Sequence, residues 1–139
     1  MDKVRIGEKK YVNWNGDAIY FGSFDSAFCL LFLSLYCLRC VDLLPHVKSI
    51  ADEHLEGMPM MVMLDGDEDT NKQIVEYFNW EVPVVQIDSH HMGDEFAVYE
   101  TPTMQIYDAN QVRIFSGVTD EAEDVIACIK KSKKEMKQP

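Results

Sequence analysis

Runs of apolar residues alternate with stretches of helical spacing along this chain. Residues 28–35 are nearly all apolar, as is typical of a strand covered on both faces in a parallel or mixed sheet. Over residues 44–51 the apolar positions then recur at the spacing of one helix face, and this helix is expected to end near Gly57. The pattern predicts a buried strand that leads into an amphipathic helix.

A second unit of the same kind follows. Residues 60–64 form another apolar run, which an acidic loop at 65–69 separates from an amphipathic helix with Ile74, Val75 and Phe78 on one face. Residues 82–87 supply the following strand. A strand, a crossover helix and a further strand predict parallel pairing.

The last third of the chain predicts a hairpin and a closing helix. A loop that holds His90, His91, Met92 and Gly93 leads to a short helical turn ending near Tyr99. Residues 103–107 and 112–116 flank the turn signal Asp108-Ala109-Asn110 and indicate an antiparallel hairpin. Residues 120–137 form a helix with acidic residues near its start and lysines near its end, as the helix dipole favours. The order of elements predicts a mixed sheet with helices on both faces.

Turn residues near the N-terminus indicate an additional hairpin. Between residues 12 and 22, Asn13, Asn15-Gly16 and Gly22 separate short aromatic pieces, which predicts a β-hairpin laid against the main body. We expect one domain over residues 1–139, with its core at about 24–131 and the hairpin at about 10–23.

Charge excludes several classes of partner. The 24 acidic and 13 basic residues give a formal charge of −11, which repels nucleic acid and anionic lipid. The apolar run at 27–36 is about half the roughly 20 residues that a membrane span needs, and no targeting segment is evident. We therefore expect a location in the cytoplasm as the sequence stands, or outside it if a signal or anchor has been removed. We also expect a monomer.

Two of the four cysteines carry the candidate chemistry. The stretch YCLRCVDLLP places Cys37 and Cys40 where the buried strand gives way to the helix, whereas Cys29 and Cys128 lie in apolar surroundings that indicate packing. Unpaired N–H groups at a helix start stabilise a thiolate, so Cys37 is the expected nucleophile. Cys40, one helical turn later and more enclosed, is the expected resolving thiol.

The residues around the two cysteines fit this chemistry. Arg39 lies between them and adds a positive charge that favours the thiolate of Cys37. Tyr36 and Leu38 offer an apolar rim for the chain of a partner protein.

These motifs together resemble the thioredoxin superfamily, most closely its TlpA/ResA-like thiol-disulfide oxidoreductases. The resemblance covers about residues 12–131 and is carried by the strand FCLLFLS, the motif Tyr36-Cys37-Leu38-Arg39-Cys40, the helix proline Pro45, and Thr101-Pro102-Thr103 ahead of a strand. It implies a thioredoxin-like three-layer α/β/α fold with a central mixed sheet, extended here by the N-terminal β-hairpin. It also implies a cis Thr101-Pro102 bond beside the cysteines, with the backbone there receiving a substrate strand.

The implied activity is reduction or exchange of disulfides in partner proteins through the Cys37–Cys40 dithiol. No cofactor beyond this redox-active disulfide and no metal is expected; the implied partners are protein thiols or disulfides and an upstream electron donor or acceptor. The chain departs from the family where acidic residues are usual, with Leu31 six positions before the first cysteine and Leu43 three after the second. The proton-transfer partner of Cys40 is therefore unassigned, and Asp42 falls on a different helix face from Leu43.

Other functions stay open at this point. Cys37 and Cys40 could be two buried thiols, and zinc would need two further ligands that no second C-x-x-C or Cys/His pair supplies. Adjacent His90 and His91 leave redox-linked copper delivery as an alternative, and a non-catalytic peptide-binding module on the same fold is another. Peroxidase chemistry is disfavoured, because Leu30 stands where the resembling peroxidases carry a proline.

Overall fold

The structure is a computed structural model that describes residues 10–13, 18–21, 24–55 and 57–136. Within these residues the chain runs in order through β1 (Lys10–Val12), β2 (Ala18–Tyr20), β3 (Phe28–Ser34), α1 (Leu38–Leu43), a 3₁₀ turn (Leu44–His46), α2 (Val47–Glu53), β4 (Met60–Asp65), α3 (Glu68–Phe78), β5 (Val84–Gln86), α4 (Ser89–Phe96), β6 (Thr103–Tyr107), β7 (Arg113–Val118) and α5 (Ala122–Met136). No helix in the described part of the chain is both long enough and apolar enough to cross a membrane.

Five strands form the central sheet in the order β5-β4-β3-β6-β7. The β3–β4 and β4–β5 pairs are parallel, whereas the β3–β6 and β6–β7 pairs are antiparallel. The predicted mixed sheet is confirmed. Every residue of β3 is buried, because this strand lies in the middle of the sheet and is covered on both faces.

Alternate residues of β3 belong to two different hydrophobic clusters. Leu31 and Leu33 pack with α1, α2, α3 and α5 on one face, whereas Leu30 and Phe32 pack with α4 and the hairpin strand β2 on the other. Each fully buried large side chain contributes about 1.5–3 kcal/mol of hydrophobic stabilisation. The architecture therefore has helices on both faces of the sheet, as the order of elements predicts.

The N-terminal hairpin is also present and attaches to the edge of the sheet. Strands β1 and β2 pair antiparallel, and Asn13 forms an isolated antiparallel bridge with Val85 in the edge strand β5. The Tyr11 hydroxyl donates a hydrogen bond to Glu95 of α4 at 2.6 Å. The predicted turn residues Asn15-Gly16 and Gly22 lie outside the described residues.

Helix α4 differs from the predicted loop. The sequence predicts His90 to Gly93 as irregular chain, yet these residues form the first half of α4. Asp88 caps the helix by accepting a hydrogen bond from the His91 N–H at 2.8 Å, which satisfies one of the unpaired donors at the helix start. Met92 and Phe96, four residues apart, are buried together in the core.

The helix that carries the cysteines is interrupted. Pro45 lies in the 3₁₀ turn between α1 and α2, since proline has no N–H to continue the helical hydrogen bonds. Helix α2 ends at Glu53, before the predicted end near Gly57.

Candidate active site

The two cysteines lie where β3 turns into α1. Cys37 is the N-cap residue of α1, and its backbone N–H donates to the Ser34 carbonyl at 3.2 Å. Cys37 is partly exposed, whereas Cys40 in the first turn of the helix is buried, and both are free thiols. Solvent can therefore reach the Cys37 thiol but not the Cys40 thiol.

Hydrogen bonding lowers the pKa of Cys37. Partial burial acts to raise this pKa, but donors to the thiolate outweigh it: the Cys40 side chain, the Cys40 backbone N–H, Thr101 and the Arg39 backbone N–H. The backbone donors are N–H groups of the first helical turn, which lack partners within the helix. The start of α1 therefore favours the charged, nucleophilic form of Cys37.

The environment of Cys40 has the opposite effect. The pKa of Cys40 is raised to about 11: burial raises it most and the adjacent Cys37 adds to this, although Thr101 and the Ser34 backbone oppose both. At neutral pH Cys40 therefore keeps its proton and can donate it to the Cys37 thiolate.

The loop before β6 packs against the dithiol. The Thr101-Pro102 peptide bond is cis, and the Thr101 carbonyl lies 3.4 Å from Cys37 Sγ as its hydrogen-bond acceptor. The Pro102 carbonyl accepts from the Thr119 N–H at 2.9 Å, which ties the loop to the chain after β7. These contacts place Thr101 and Pro102 beside the cysteines, 64 positions away in sequence.

The Arg39 side chain is held by two partners next to the dithiol. Its guanidinium forms an ion pair with Asp120 at 2.6 Å and donates to the Thr101 carbonyl at 3.3 Å. The charge is therefore balanced by a carboxylate, and Arg39 lowers the pKa of Cys37 through its backbone N–H. Tuning of Cys37 by the side-chain charge of Arg39 stays a prediction.

Three exposed apolar side chains lie near the dithiol: Tyr36 and Leu38 adjoin Cys37 in the chain, and Tyr99 lines the same hollow as Tyr36 and Thr101. Tyr36 is 79% exposed, Leu38 is 84% exposed and Tyr99, after α4, is 82% exposed. Tyr36 and Leu38 thus lie where the sequence predicts a rim. Tyr99 was assigned no role from the sequence, because it comes from a different element, 63 positions after Tyr36.

Asp65 is a site residue that the sequence pattern did not reveal. It ends β4 and pairs in register with Ser34 at the end of β3, where the Ser34 hydroxyl donates to its carboxylate at 3.3 Å. Burial raises the pKa of Asp65, and Asp88 adds to this, although the Ser34 hydrogen bond opposes it. The family's acidic positions, Leu31 and Leu43, are both buried in the core.

The other candidate residues lie away from the dithiol chemistry. Cys29 is fully buried and Cys128 is half-buried, and burial raises the pKa of each thiol. Asp42 is exposed on α1.

His90 and His91 lie on α4 next to acidic residues of the same helix region. His90 Nε2 is 3.1 Å from Asp94, and His91 Nδ1 is 2.8 Å from Asp88, the residue that raises the pKa of His91. Among the described residues, no group of three or more histidine, cysteine, aspartate or glutamate side chains could hold a metal ion.

Two grooves flank the dithiol. The α4 groove consists of two hollows that share Tyr36 and Asp65; its lining includes Asp67, Asp88, His91, Glu95, Tyr99, Glu100 and Thr101. The α5 groove is lined by Arg39, Asp42, Leu43, His46, Asp120, Glu121, Ala122 and Glu123.

Comparisons with known proteins agree on the fold. Neither a protein-family model nor a curated protein matches the sequence. Among solved structures, the chain is similar to a secreted disulfide oxidoreductase from Mycobacterium tuberculosis, with 11% identity and a TM-score of 0.73 over 89% of this chain and 96% of that one.

Two further structures support the same conclusion. StoA from Bacillus subtilis is 14% identical with a TM-score of 0.69, over 86% of this chain and 93% of that one. An exposed lipoprotein thioredoxin from Streptococcus pneumoniae is 15% identical with a TM-score of 0.71, over 89% and 98%. The chain has the thioredoxin-like fold of these proteins, and the resemblance drawn from the sequence is confirmed at the level of the fold.

Proposed function

We propose that this chain, which has the fold of thioredoxin-like thiol-disulfide oxidoreductases, reduces or exchanges disulfides in partner proteins through Cys37 and Cys40. One observation carries the proposal: an accessible thiol with a lowered pKa touches a buried thiol with a raised pKa at a helix start. Within the superfamily we propose a TlpA/ResA-like assignment, supported by the C-x-x-C and Thr-Pro motifs.

The first step is attack on the partner. The Cys37 thiolate attacks one sulfur of the partner's disulfide, so that a Cys37–partner S–S bond forms, the partner's S–S bond breaks and one partner sulfur leaves as thiolate. The lowered pKa of Cys37 increases the fraction of this thiol that is present as the attacking thiolate.

The second step releases the partner. Cys40 loses its proton and attacks Cys37 Sγ, which forms the Cys37–Cys40 disulfide and expels the second partner thiolate. Two electrons pass from the dithiol to the partner. Of the partner's two thiolates, one is balanced by the proton that Cys40 releases and the other takes a proton from solvent, which received the proton of Cys37 when its thiolate formed. An upstream electron donor must then reduce the Cys37–Cys40 disulfide; run backwards, the same steps oxidise a partner dithiol and require an acceptor.

Asp65 is the group we assign to proton transfer in the second step. The Ser34 backbone contacts the Cys40 thiol and the Ser34 hydroxyl contacts the Asp65 carboxylate, so one residue links the buried thiol to this acid. Ser34, Asp65 and Thr101 also line the same hollow. Asp65 thereby serves in place of the acidic residues that the resembling proteins carry at the positions of Leu31 and Leu43.

Thr101 and Pro102 are the residues we assign to substrate binding, together with the rim residues Tyr36 and Leu38. A partner's extended segment would pair with the Thr101 backbone in the manner of strand addition. The Thr101 carbonyl is engaged by Cys37 and Arg39, so Arg39 has to release it as a partner strand pairs there. We propose that the protein acts as a monomer, which leaves this face open to its partners.

Insulin reduction tests the proposal. With dithiothreitol as the electron donor, the protein should bring forward the precipitation of the insulin B chain, and Cys37→Ser should remove this acceleration. Cys128→Ser, which changes a half-buried cysteine on α5, is the matched control and should behave like the native protein. Equal precipitation times for the native protein and Cys37→Ser would refute the enzymatic function.

A further inference from the structure

Carboxylates dominate both sides of the dithiol. The α4 groove is lined by Asp65, Asp67, Asp88, Glu95 and Glu100. The α5 groove adds Asp42, Asp120, Glu121 and Glu123, of which Asp120 pairs with Arg39. Within the described part of the chain no lysine lines either groove. The basic side chains there are Arg39 and His46 in the α5 groove, and His90 and His91, which pair with Asp94 and Asp88, in the α4 groove.

The exposed apolar rim is an independent sign of a binding surface. Tyr36, Leu38 and Tyr99 are each about four-fifths exposed, and Tyr36 and Tyr99 also line the α4 groove. Exposed large apolar side chains that lie close to a nucleophile are typical of a protein interaction site. An occupant of this surface must match an apolar rim and a negative groove at the same time.

We infer that the α4 groove selects disulfide-bonded partner segments that carry lysine or arginine beside the reacting cysteine, with an apolar residue to cover the rim. The inference rests on the proposed disulfide chemistry and names the substrate class for the same site. Opposite charge in the groove raises the encounter rate of such a segment, and like charge slows an acidic one. Strand pairing at Thr101 would hold the segment with its flanking side chains over the groove.

Two of the carboxylates can be neutralised without removing their structural role. Asp67 caps α3 by accepting from the Thr70 N–H at 2.8 Å, and Asp88 caps α4 by accepting from the His91 N–H at 2.8 Å. Asparagine caps a helix about as well as aspartate. The double variant Asp67→Asn/Asp88→Asn therefore removes two negative charges from the groove, one of them the partner of His91, and keeps both helix starts.

A matched control separates the groove from the net charge of the molecule. Glu53→Gln/Glu76→Gln removes two exposed carboxylates from α2 and α3 that line neither groove. Both double variants change the net charge from −11 by the same two units. Only the Asp67→Asn/Asp88→Asn variant changes the charge of the groove.

The experiment measures single-turnover reduction of two disulfide peptides by the reduced protein. The peptides share one disulfide and one leucine, with a fluorophore and a quencher on either side of the bond, and differ in carrying two lysines or two glutamates next to the cysteine. At low salt the native protein should reduce the lysine peptide about tenfold faster or more, and 0.5 M NaCl should shrink this preference. The Asp67→Asn/Asp88→Asn variant should lower the preference about two- to fivefold, whereas the control variant should leave it within about twofold of native.

The outcomes separate this inference from the proposed function. Reduction of neither peptide would count against the disulfide chemistry itself. Equal reduction of both peptides by the native protein, or the same loss of preference in both double variants, would overturn the groove as the selective element while leaving the chemistry intact.

Discussion

The Cys37 thiol owes its low pKa to donors of the first turn of α1 and to the neighbouring Cys40 thiol. The side chain of Arg39, which looks in the sequence like the source of positive charge, is occupied by Asp120 and the Thr101 carbonyl. The lowered pKa of Cys37 thus comes from the Cys40 thiol and from N–H groups of the first helical turn, and a change of the side chain at position 39 should affect this pKa less than a change of Cys40.

Alkylation tests this assignment. Iodoacetamide at pH 7 should modify Cys37 about a hundredfold faster than Cys40, whose pKa of about 11 leaves almost no thiolate. The rate at Cys37 should rise with pH to a midpoint below the ordinary thiol value of about 8.5, since its pKa is lowered. Peptide mapping by mass spectrometry measures both, and earlier labelling of Cys40, Cys29 or Cys128 would contradict the assignment.

The same shift predicts how the stability of the reduced protein depends on pH. The pKa of Cys37 falls on folding, so its thiolate stabilises the folded state above the pKa of the unfolded chain. This contribution is lost as the pH drops through the lowered folded-state pKa. The urea midpoint of the native protein minus that of Cys37→Ser should therefore grow from pH 6 to pH 9; a difference that stays flat would show that the thiolate is not stabilised by the fold.

Asp65→Asn tests the proton-transfer role. We expect turnover in the insulin assay to fall about ten- to a hundredfold, within the range of general acid–base effects, because the proton of Cys40 loses its acceptor. Alkylation of Cys37 should stay within about twofold of native, since the first step does not need Asp65. Asp65→Glu should recover part of the rate; a loss of both turnover and Cys37 alkylation would indicate a structural role only.

Among the secondary-structure elements, α4 connects the hairpin, the sheet and the groove. Its buried Met92 and Phe96 face the sheet, and Tyr11 of the hairpin both donates to Glu95 and packs on Phe96 with ring centroids 5.7 Å apart. Its exposed start carries Asp88 and the two histidines to the edge of the groove. The hairpin thus supports the helix that forms one wall of the site.

The cap of α4 gives a prediction about stability. Asp88→Ala removes the acceptor of the His91 N–H and should lower the free energy of unfolding by about 1 kcal/mol, whereas Asp88→Asn should cost a few tenths at most. Urea unfolding followed by circular dichroism measures both. An Asp88→Asn variant as unstable as Asp88→Ala would mean that the charge, rather than the hydrogen bond, holds the helix start.

Strands and the dithiol were predictable because their signals are local. The buried run of β3 and the C-x-x-C at its end are contiguous in sequence, and so are the signals for the β6–β7 hairpin. Helix α4 was predicted to start after Gly93 and to end near Tyr99, but it starts at Ser89 and ends at Phe96. Two histidines and a glycine obscure its apolar spacing, and its cap lies before them. Periodicity is weak over so short a helix.

The pairings that complete the site could not be predicted, because they join distant positions. Ser34 meets Asp65 only through the register of β3 with β4, and Arg39 meets Asp120 across 81 positions. Tyr99 and Tyr36 likewise come together only in the folded chain, since they are 63 positions apart in sequence. No spacing along the chain encodes these contacts.

Across the whole molecule, the fold gathers its reactive groups at one edge of the sheet. The parallel strands β3 and β4 both end there, at Ser34 and Asp65, with the dithiol and Thr101 alongside. The acidic grooves face this edge, whereas four lysines lie near the end of α5 and outside both grooves. The reactive groups and the acidic grooves therefore lie on a single face of the molecule.

The reduction potential of the Cys37–Cys40 couple tests the central claim most directly. Stabilising the Cys37 thiolate stabilises the reduced form and raises the potential, but each pKa unit is worth only about 30 mV for a two-electron couple. We therefore predict a thiol-disulfide reductase or isomerase of intermediate potential, above the roughly −270 mV of thioredoxin and well below the roughly −120 mV of the oxidant DsbA.

Equilibration of the protein in glutathione and dithiothreitol buffers, followed by trapping and mass spectrometry, measures this potential. The account predicts a single two-electron transition between the free thiols and a Cys37–Cys40 disulfide within that range. A potential near that of DsbA would reverse the proposed direction of electron flow, and the absence of any Cys37–Cys40 disulfide across the buffers would contradict the account itself.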